Sequence, residues 1–489
     1  RWVVMSAVTG MLSFAATGAP FELSVELEIG QDLGQPLGSI FEARNELGAV
    51  VLGAGFEDGH STYVRDNNRQ IVFYCKPAGK SVVVKAIGKP YGPEENAARL
   101  IADRSELVVF NRFGSSLPLL TPGSEDDFQP YSPEWAAEPA GFCGLQYVDN
   151  RPMVFHAGQI TYDGKTIYQS ELGSGMYYYS RGTLLIFHGQ TKQLYAVDWK
   201  PDDTEPARLE DGRAFAVEGT PFVFATYVGE LHVVTNVGNY YVYAGNELKR
   251  IRASDGKSWQ AYSMVRVYDD LLIGHYPTGS LYAYGADGLR LFEPAIPVPP
   301  EVSSNAREAQ TLAIHGGYLY AGVWPWGELW RYDPDGKTWE FVARVFEDPP
   351  LSREDQEPYA RIMTEKNVDV YNYWGQRITS LTNVGNSLYI ATMNKQGRPF
   401  NPETHDFLTP EIVAQYGRVH RLDSNAQIAA PFEWKKTTTF RFVCTEEGLE
   451  LYQDDRQIGS AACDTGAVGE TLSIQKGRGI YGPFEGTVR

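Results

Sequence analysis

YDDLLIGHYPTGSLYAY, residues 268–284, reads as two short strands joined through HYPTG. The pattern returns at 181–197, RGTLLIFHGQTKQLYAV, which matches it without a gap, and at 149–163, DNRPMVFHAGQITYD. His275, His188 and His156 then fall at one position of a repeated unit, so three of the eight histidines share a slot. A period of alternating apolar residues broken by turn residues is the mark of antiparallel strands.

Working outward, the chain has 489 residues, too many for one ordinary domain at roughly 100–200 residues each. Its 49 Gly, 29 Pro and 30 Tyr predict many turns and short strands, hence an all-β protein. The formal charge of −18 speaks against nucleic acid and anionic membrane as partners. It also means that an acidic substrate needs a local basic pocket. Four cysteines without CxxC spacing make neither a disulfide scaffold nor a zinc finger; Cys444 and Cys463 lie close enough in sequence for a bridge, but spacing alone does not assign it. The opening RWVVMSAVTGMLSFAATGAP has the look of a leader, yet runs directly into strand-like FELSVELEI, and is read as structure with any leader already removed. No apolar run reaches about 18 residues, so no membrane span is predicted.

Residues 1–125 alternate apolar and polar over short runs such as FELSVELEI, RQIVFYC and ELVVFNRF, as half-buried strands do. The last sixty residues behave alike, and LELYQDDRQIGS resembles the "LxLYxDGxxxGS" hairpin of laminin-G and concanavalin-like jelly rolls, with DD in place of DG. That resemblance implies one β-sandwich split between 1–125 and 431–489, because an exposed loop tolerates insertion of a domain. The insert, 135–430, consists of four-stranded units at spacings of 32–69 residues, the signature of a six- or seven-bladed β-propeller. Inner strands begin near FCGLQYV, GMYYYS, FVFATYV, YSMVRVY, QTLAIHG and ITSLTNV.

Ligands commonly meet a propeller on the face where second strands end, since loops carry function over a rigid scaffold. His156, His188 and His275 are therefore candidate catalytic residues, with Val234, Val323 and Thr392 at the same slot elsewhere. The bland reading of each is a polar residue leaving the core. Inner-strand positions add Tyr179, Tyr177 and Arg266, a guanidinium that needs an anionic partner in a channel. Tyr276, Trp324 and Trp326 form a candidate aromatic rim for sugar rings, and Arg377 stands at the mouth. Three imidazoles could also hold a divalent metal such as calcium or zinc, although no HxH or HExxH spacing supports it. SDGKSW and DPDGKTW are similar to the sialidase Asp box but place Asp against Gly, so both are turns; there is no P-loop or GxSxG.

A propeller with His, Tyr and Arg about its axis, joined to a lectin-like sandwich, resembles the propeller polysaccharide lyases that cleave ulvan and related rhamnose–glucuronate polymers. The resemblance implies a secreted, periplasmic or extracellular protein that acts on a polysaccharide or oligosaccharide by β-elimination at a uronic acid. Arg266, with His188 or His275, would neutralise the carboxylate, and a tyrosine or His156 would move protons. A glycoside hydrolase on the same scaffold, with loop carboxylates such as Asp269 or Glu308, and a non-catalytic glycan- or protein-binding module are the alternatives.

Overall fold

The computed structural model describes residues 12–15, 21–62, 64–76, 82–111, 116–123, 127–136, 141–256, 259–368, 372–463, 468 and 471–489. The leader-like opening, apart from 12–15, lies outside the described residues, as do parts of the linker expected around 123–140.

Among the described residues the strands form nine antiparallel sheets, and seven of them are blades of a propeller. Each innermost strand is buried on both faces, because it is wedged between neighbouring blades: Glu308–His315 is buried along its whole length. Outer strands of the same sheets, such as Thr338–Arg344, are largely exposed. Blades one to five follow the chain, with inner strands Phe142–Val148, Gly175–Ser180, Pro221–Tyr227, Gln260–Val267 and Glu308–His315. Blade six takes three strands from Arg377–Val384 onward, but its outer strand is Val83–Gly88, paired with Val419–Asp423. Blade seven is built wholly from 99–130, with Arg99–Asp103 innermost and against blade six. The boundary drawn at 125 is thus not where the sheets divide. The propeller takes four blade strands from the N-terminal segment, Val83–Gly88, Arg99–Asp103, Glu106–Phe110 and Leu120–Pro122, so the units within 135–430 number six.

The remaining two sheets make the sandwich. One runs Leu12–Ala15, Thr471–Lys476, Ser39–Arg44, Val50–Phe56, Gln70–Cys75, Gln427–Pro431; the other runs Arg456–Ala461, Gly448–Gln453, Thr437–Thr445, Phe21–Glu28, Thr487–Val488. Phenylalanines from both sheets interlock, with Phe41 and Phe442 at 5.0 Å and Phe73 and Phe442 at 5.2 Å between centroids. The DD turn forms because Asp454 and Asp455 both take positive φ, 46° and 64°, which aspartate tolerates. Asp454 is held there by the backbone amide of Thr439 at 3.0 Å and by Lys435 at 2.9 Å.

The sandwich covers one face of the propeller, where inner and second strands join in two-residue turns. Gly316–Gly317 is such a turn, both residues at positive φ, and a side chain at Gly317 would collide with the ring of Tyr74. Around this face Ile480 accepts from the Tyr268 amide at 3.2 Å and Gly385 accepts from the Ala429 amide at 2.6 Å. From the same side a hairpin, Gly59–Ser61 and Val64–Asp66, enters the axis and adds to the inner edge of blade four, pairing Gly59 with Val265 and Ser61 with Ser263. Thr62 at its tip donates to the Tyr262 carbonyl, 2.8 Å from its amide, near the opposite mouth. The protein's own chain occupies the channel, leaving a cavity between the hairpin and the inner strands of blades four to six. Arg65 anchors the plug through Asp58 at 3.0 Å, Gln146 at 3.1 Å, and the carbonyls of Gly34 and Tyr179.

Candidate functional site

With one face covered and the axis plugged, the open mouth is where inner strands begin. Five inner strands carry a bulge near their start, at Cys143, Phe222, Tyr262, Gln310 and Thr379. A bulge re-aims side chains at a rim. In blades four, five and six the residues on either side of it meet. Arg377, which opens blade six, reaches back to blade five, placing Nη1 at 3.0 Å from Glu308 Oε1 and 2.8 Å from Gln310 Oε1. The Tyr262 hydroxyl donates to Gln260 Oε1 at 2.5 Å and lies within reach of the Glu308 carboxyl. Trp324, paired with Glu308, lies under the Arg377 guanidinium at 5.4 Å and 6.1 Å from Tyr276. Gly375 lets that indole in, since a Cβ there would strike its ring nitrogen.

Burial dominates the electrostatics. It holds the proton on Glu308 up to about 7 despite Arg377, and on Glu357 up to about 7 despite Lys395 and Arg377. Lys395 is held below the usual ammonium range by burial and by Arg377, and its Nζ donates to Asn372. Arg398 stands 6.0 Å over Tyr373 beside it. An acidic molecule thus concentrates Arg377, Lys395 and Arg398 at one mouth.

Polar atoms buried without a partner, among the described residues, also gather in blades five and six and the segment between them. They include Arg377 Nε, Arg307 Nε and Nη1, the indole nitrogens of Trp324, Trp326 and Trp374, and the Tyr359 hydroxyl. Glu328 Oε1 and Asn394 Oδ1 are unpartnered acceptors in the same region, so donors and acceptors alike are enclosed there.

The sequence-derived candidates divide. Tyr276, Trp324 and Arg377 come together at the open mouth. Trp324 and Trp326 are both buried, Trp324 beneath Arg377 and Trp326 beneath Arg344 at 5.5 Å, so the aromatic rim expected of them is absent and Tyr276 alone is half-exposed. The histidines are not gathered about the axis. His188 is fully buried in blade two, its Nε2 2.7 Å from the Tyr168 hydroxyl, and burial lowers its pKa. His275 lies between Trp259 and Tyr282, each 5.0 Å away, with Nδ1 3.0 Å from Thr278 Oγ1; burial, aided by Arg252, lowers it to about 4. His156 stays in blade one, its ring 6.4 Å from that of Phe142. The side chains of His188 and His275 turn into the buried layers between sheets, whereas His156 is half-buried at the end of its strand. Among the described residues no three His, Cys, Asp or Glu side chains are placed to hold a metal ion. The register assigns Val323 and Thr392 to the histidine slot, and Thr235 in place of Val234.

Arg266 belongs to the covered face, where Nη1 meets Glu485 of the sandwich at 3.3 Å. Tyr179 is fully buried there, donating to the Trp199 carbonyl at 3.2 Å, and Tyr177 donates to the Ala157 carbonyl at 3.1 Å within its own neighbourhood. Glu357 and Lys395 were missed, since both lie in long excursions outside the repeat; Glu308, expected as a loop carboxylate, instead opens the inner strand of blade five.

No family model and no curated protein sequence matches the chain. Among solved structures it is similar to YCF48 from Cyanidioschyzon merolae (11% identity, TM-score 0.39, covering 70% of this chain and 98% of that one). It is also similar to the WD40 β-propeller domain of Doa1 (10%, TM-score 0.35, 60% and 93%) and to BamB from Moraxella catarrhalis (13%, TM-score 0.31, 84% and 98%). These likenesses concern the fold alone, and the chain is a β-propeller joined to a β-sandwich.

Proposed function

We propose that the open mouth engages a uronate-containing glycan and cleaves it by β-elimination. The supporting observation is the convergence of Arg377, Lys395 and the half-buried ring of Tyr276 on one face of a protein of net charge −18. A carboxylated, hydroxyl-rich ligand pairs its carboxylate with Arg377 and Lys395, and Tyr276 offers a sugar face.

In this reading Arg377 neutralises the uronate carboxylate, so the C5 proton becomes acidic. Lys395, whose ammonium gives up its proton more readily than usual, takes that proton in its neutral form. The electron pair left on C5 forms the C4–C5 double bond while the glycosidic oxygen departs. Glu357, protonated up to about pH 7, gives that oxygen a proton. Charge stabilisation of the enolate is the largest contribution, and each positioned proton donor adds roughly 10²–10⁴-fold. The histidines have no part. Incubation with a panel of uronate polysaccharides should generate ultraviolet absorbance from an unsaturated product, lost in Glu357→Gln and Arg377→Ala. Silence across the panel would refute the reading.

One observation favours a glycoside hydrolase as the second reading: Glu308 and Glu357 are two carboxyls on one mouth, both titrating near 7. Against it, Glu308 is enclosed and fastened to Arg377. New reducing ends without absorbance would decide for hydrolysis.

A further inference from the structure

Three of the four cysteines meet in the core of the sandwich, far from the mouth. Cys75 ends the strand Gln70–Cys75 of one sheet, Cys444 lies in Thr437–Thr445 of the other, and Cys463 follows Arg456–Ala461; all three belong to one buried apolar cluster. The thiols of Cys75 and Cys444 are in hydrogen-bonding contact across the two sheets, with Cys463 beside them. Cys143 is elsewhere, its Sγ 3.3 Å from the Phe155 carbonyl in blade one.

We infer that Cys75 and Cys444 are a disulfide site that locks the root of the propeller into the sandwich. Cys75 is the last strand residue before the chain leaves for the propeller, and Cys444 lies on the first strand of the second sheet after it returns. The bond closes a loop that contains every blade strand from Val83 to Asp423. A cross-link acts mainly on the unfolded chain, and more so for long loops. Sequence spacing allowed Cys444 with Cys463 without assigning it; the direct contact across the sheets favours Cys75.

The chemistry is thiol–disulfide exchange with a low-molecular-weight disulfide such as oxidised glutathione. The Cys444 thiolate attacks one sulfur of the oxidant and releases one thiol. The Cys75 thiolate then attacks Cys444 Sγ and releases the second, so two protons and two electrons pass to the oxidant. Because all three thiols are buried, the bond forms while the chain folds.

The test refolds the full chain in a glutathione redox buffer, blocks remaining thiols with N-ethylmaleimide, and maps peptides without reduction. The expected result is a Cys75–Cys444 linkage, blocked Cys143 and Cys463, and a melting temperature a few degrees above that of the reduced protein, reversed by dithiothreitol. Cys463→Ser should keep the linkage and Cys75→Ser should abolish it. Four blocked thiols after oxidative refolding, or a Cys444–Cys463 linkage in the unaltered chain, would overturn the inference.

Discussion

Arg377 and Glu308 form a pair in which burial works against ionisation, and this gives the mouth a measurable signature. The folded Glu308 keeps its proton to about pH 7, against 4.5 for an ordinary glutamate. The folded state therefore binds more protons than the unfolded one between those values, and stability falls as pH rises through that window. Glu308→Gln lacks this dependence. Its stability should gain on that of the unaltered protein from about pH 4.5 to 7 and run parallel above, a difference on the order of 3 kcal/mol at full extent; a constant offset would contradict the burial. The imidazoles carry the opposite sign. With His275 lowered to about 4, the folded state holds fewer protons than the unfolded one below pH 6.5, so stability declines as pH falls from there towards 4. NMR titration should find His275 neutral down to about pH 4, and a midpoint near 6.5 would contradict its place between Trp259 and Tyr282. The repeat made the histidine slot legible and correctly so, but not its direction: a strand-end position identical in register faces a neighbouring sheet as easily as a mouth, and period alone does not tell them apart. Tyr276 and Trp324 were readable because they follow the histidine slot in the repeat, and Arg377 because it stands at the start of an inner strand.

At the scale of elements, the plug hairpin decides which face can work. Its Arg65 is 8% exposed and its Asp58 partner is equally enclosed. Removing one partner of a buried pair leaves the other charge uncompensated, typically a loss of about 3–5 kcal/mol. Arg65→Met should destabilise the protein by that order in urea, and a loss under about 1 kcal/mol would mean the hairpin is not held as described. The sandwich hairpin around Asp454 was foreseeable from its local pattern, whereas the plug was not: GHS and VRD are three-residue strands whose partners lie some 200 residues away, and nothing local marks a segment that pairs only inside a finished ring.

Across the whole molecule, a ring closed by Val83–Gly88 and completed by 99–130 binds the N-terminal segment into the propeller. A fragment spanning 135–430 lacks one blade and the outer strand of another, and should show no single cooperative unfolding transition; a sharp two-state melt like that of the full chain would contradict this closure. The fold class followed from alternation and repeat, which are local, while ring closure is a long-range pairing. The functional claim rests on the same geography, since sandwich and plug leave one mouth exposed. Its most direct measurement is product absorbance on a uronate polysaccharide, comparing the unaltered protein with Arg377→Ala, His188→Gln and Arg266→Met. The account predicts that Arg377→Ala loses about 10²–10³-fold in kcat/KM while the other two, once shown to be folded, retain activity within a few-fold. Activity that survives Arg377→Ala but vanishes with folded His188→Gln would contradict it.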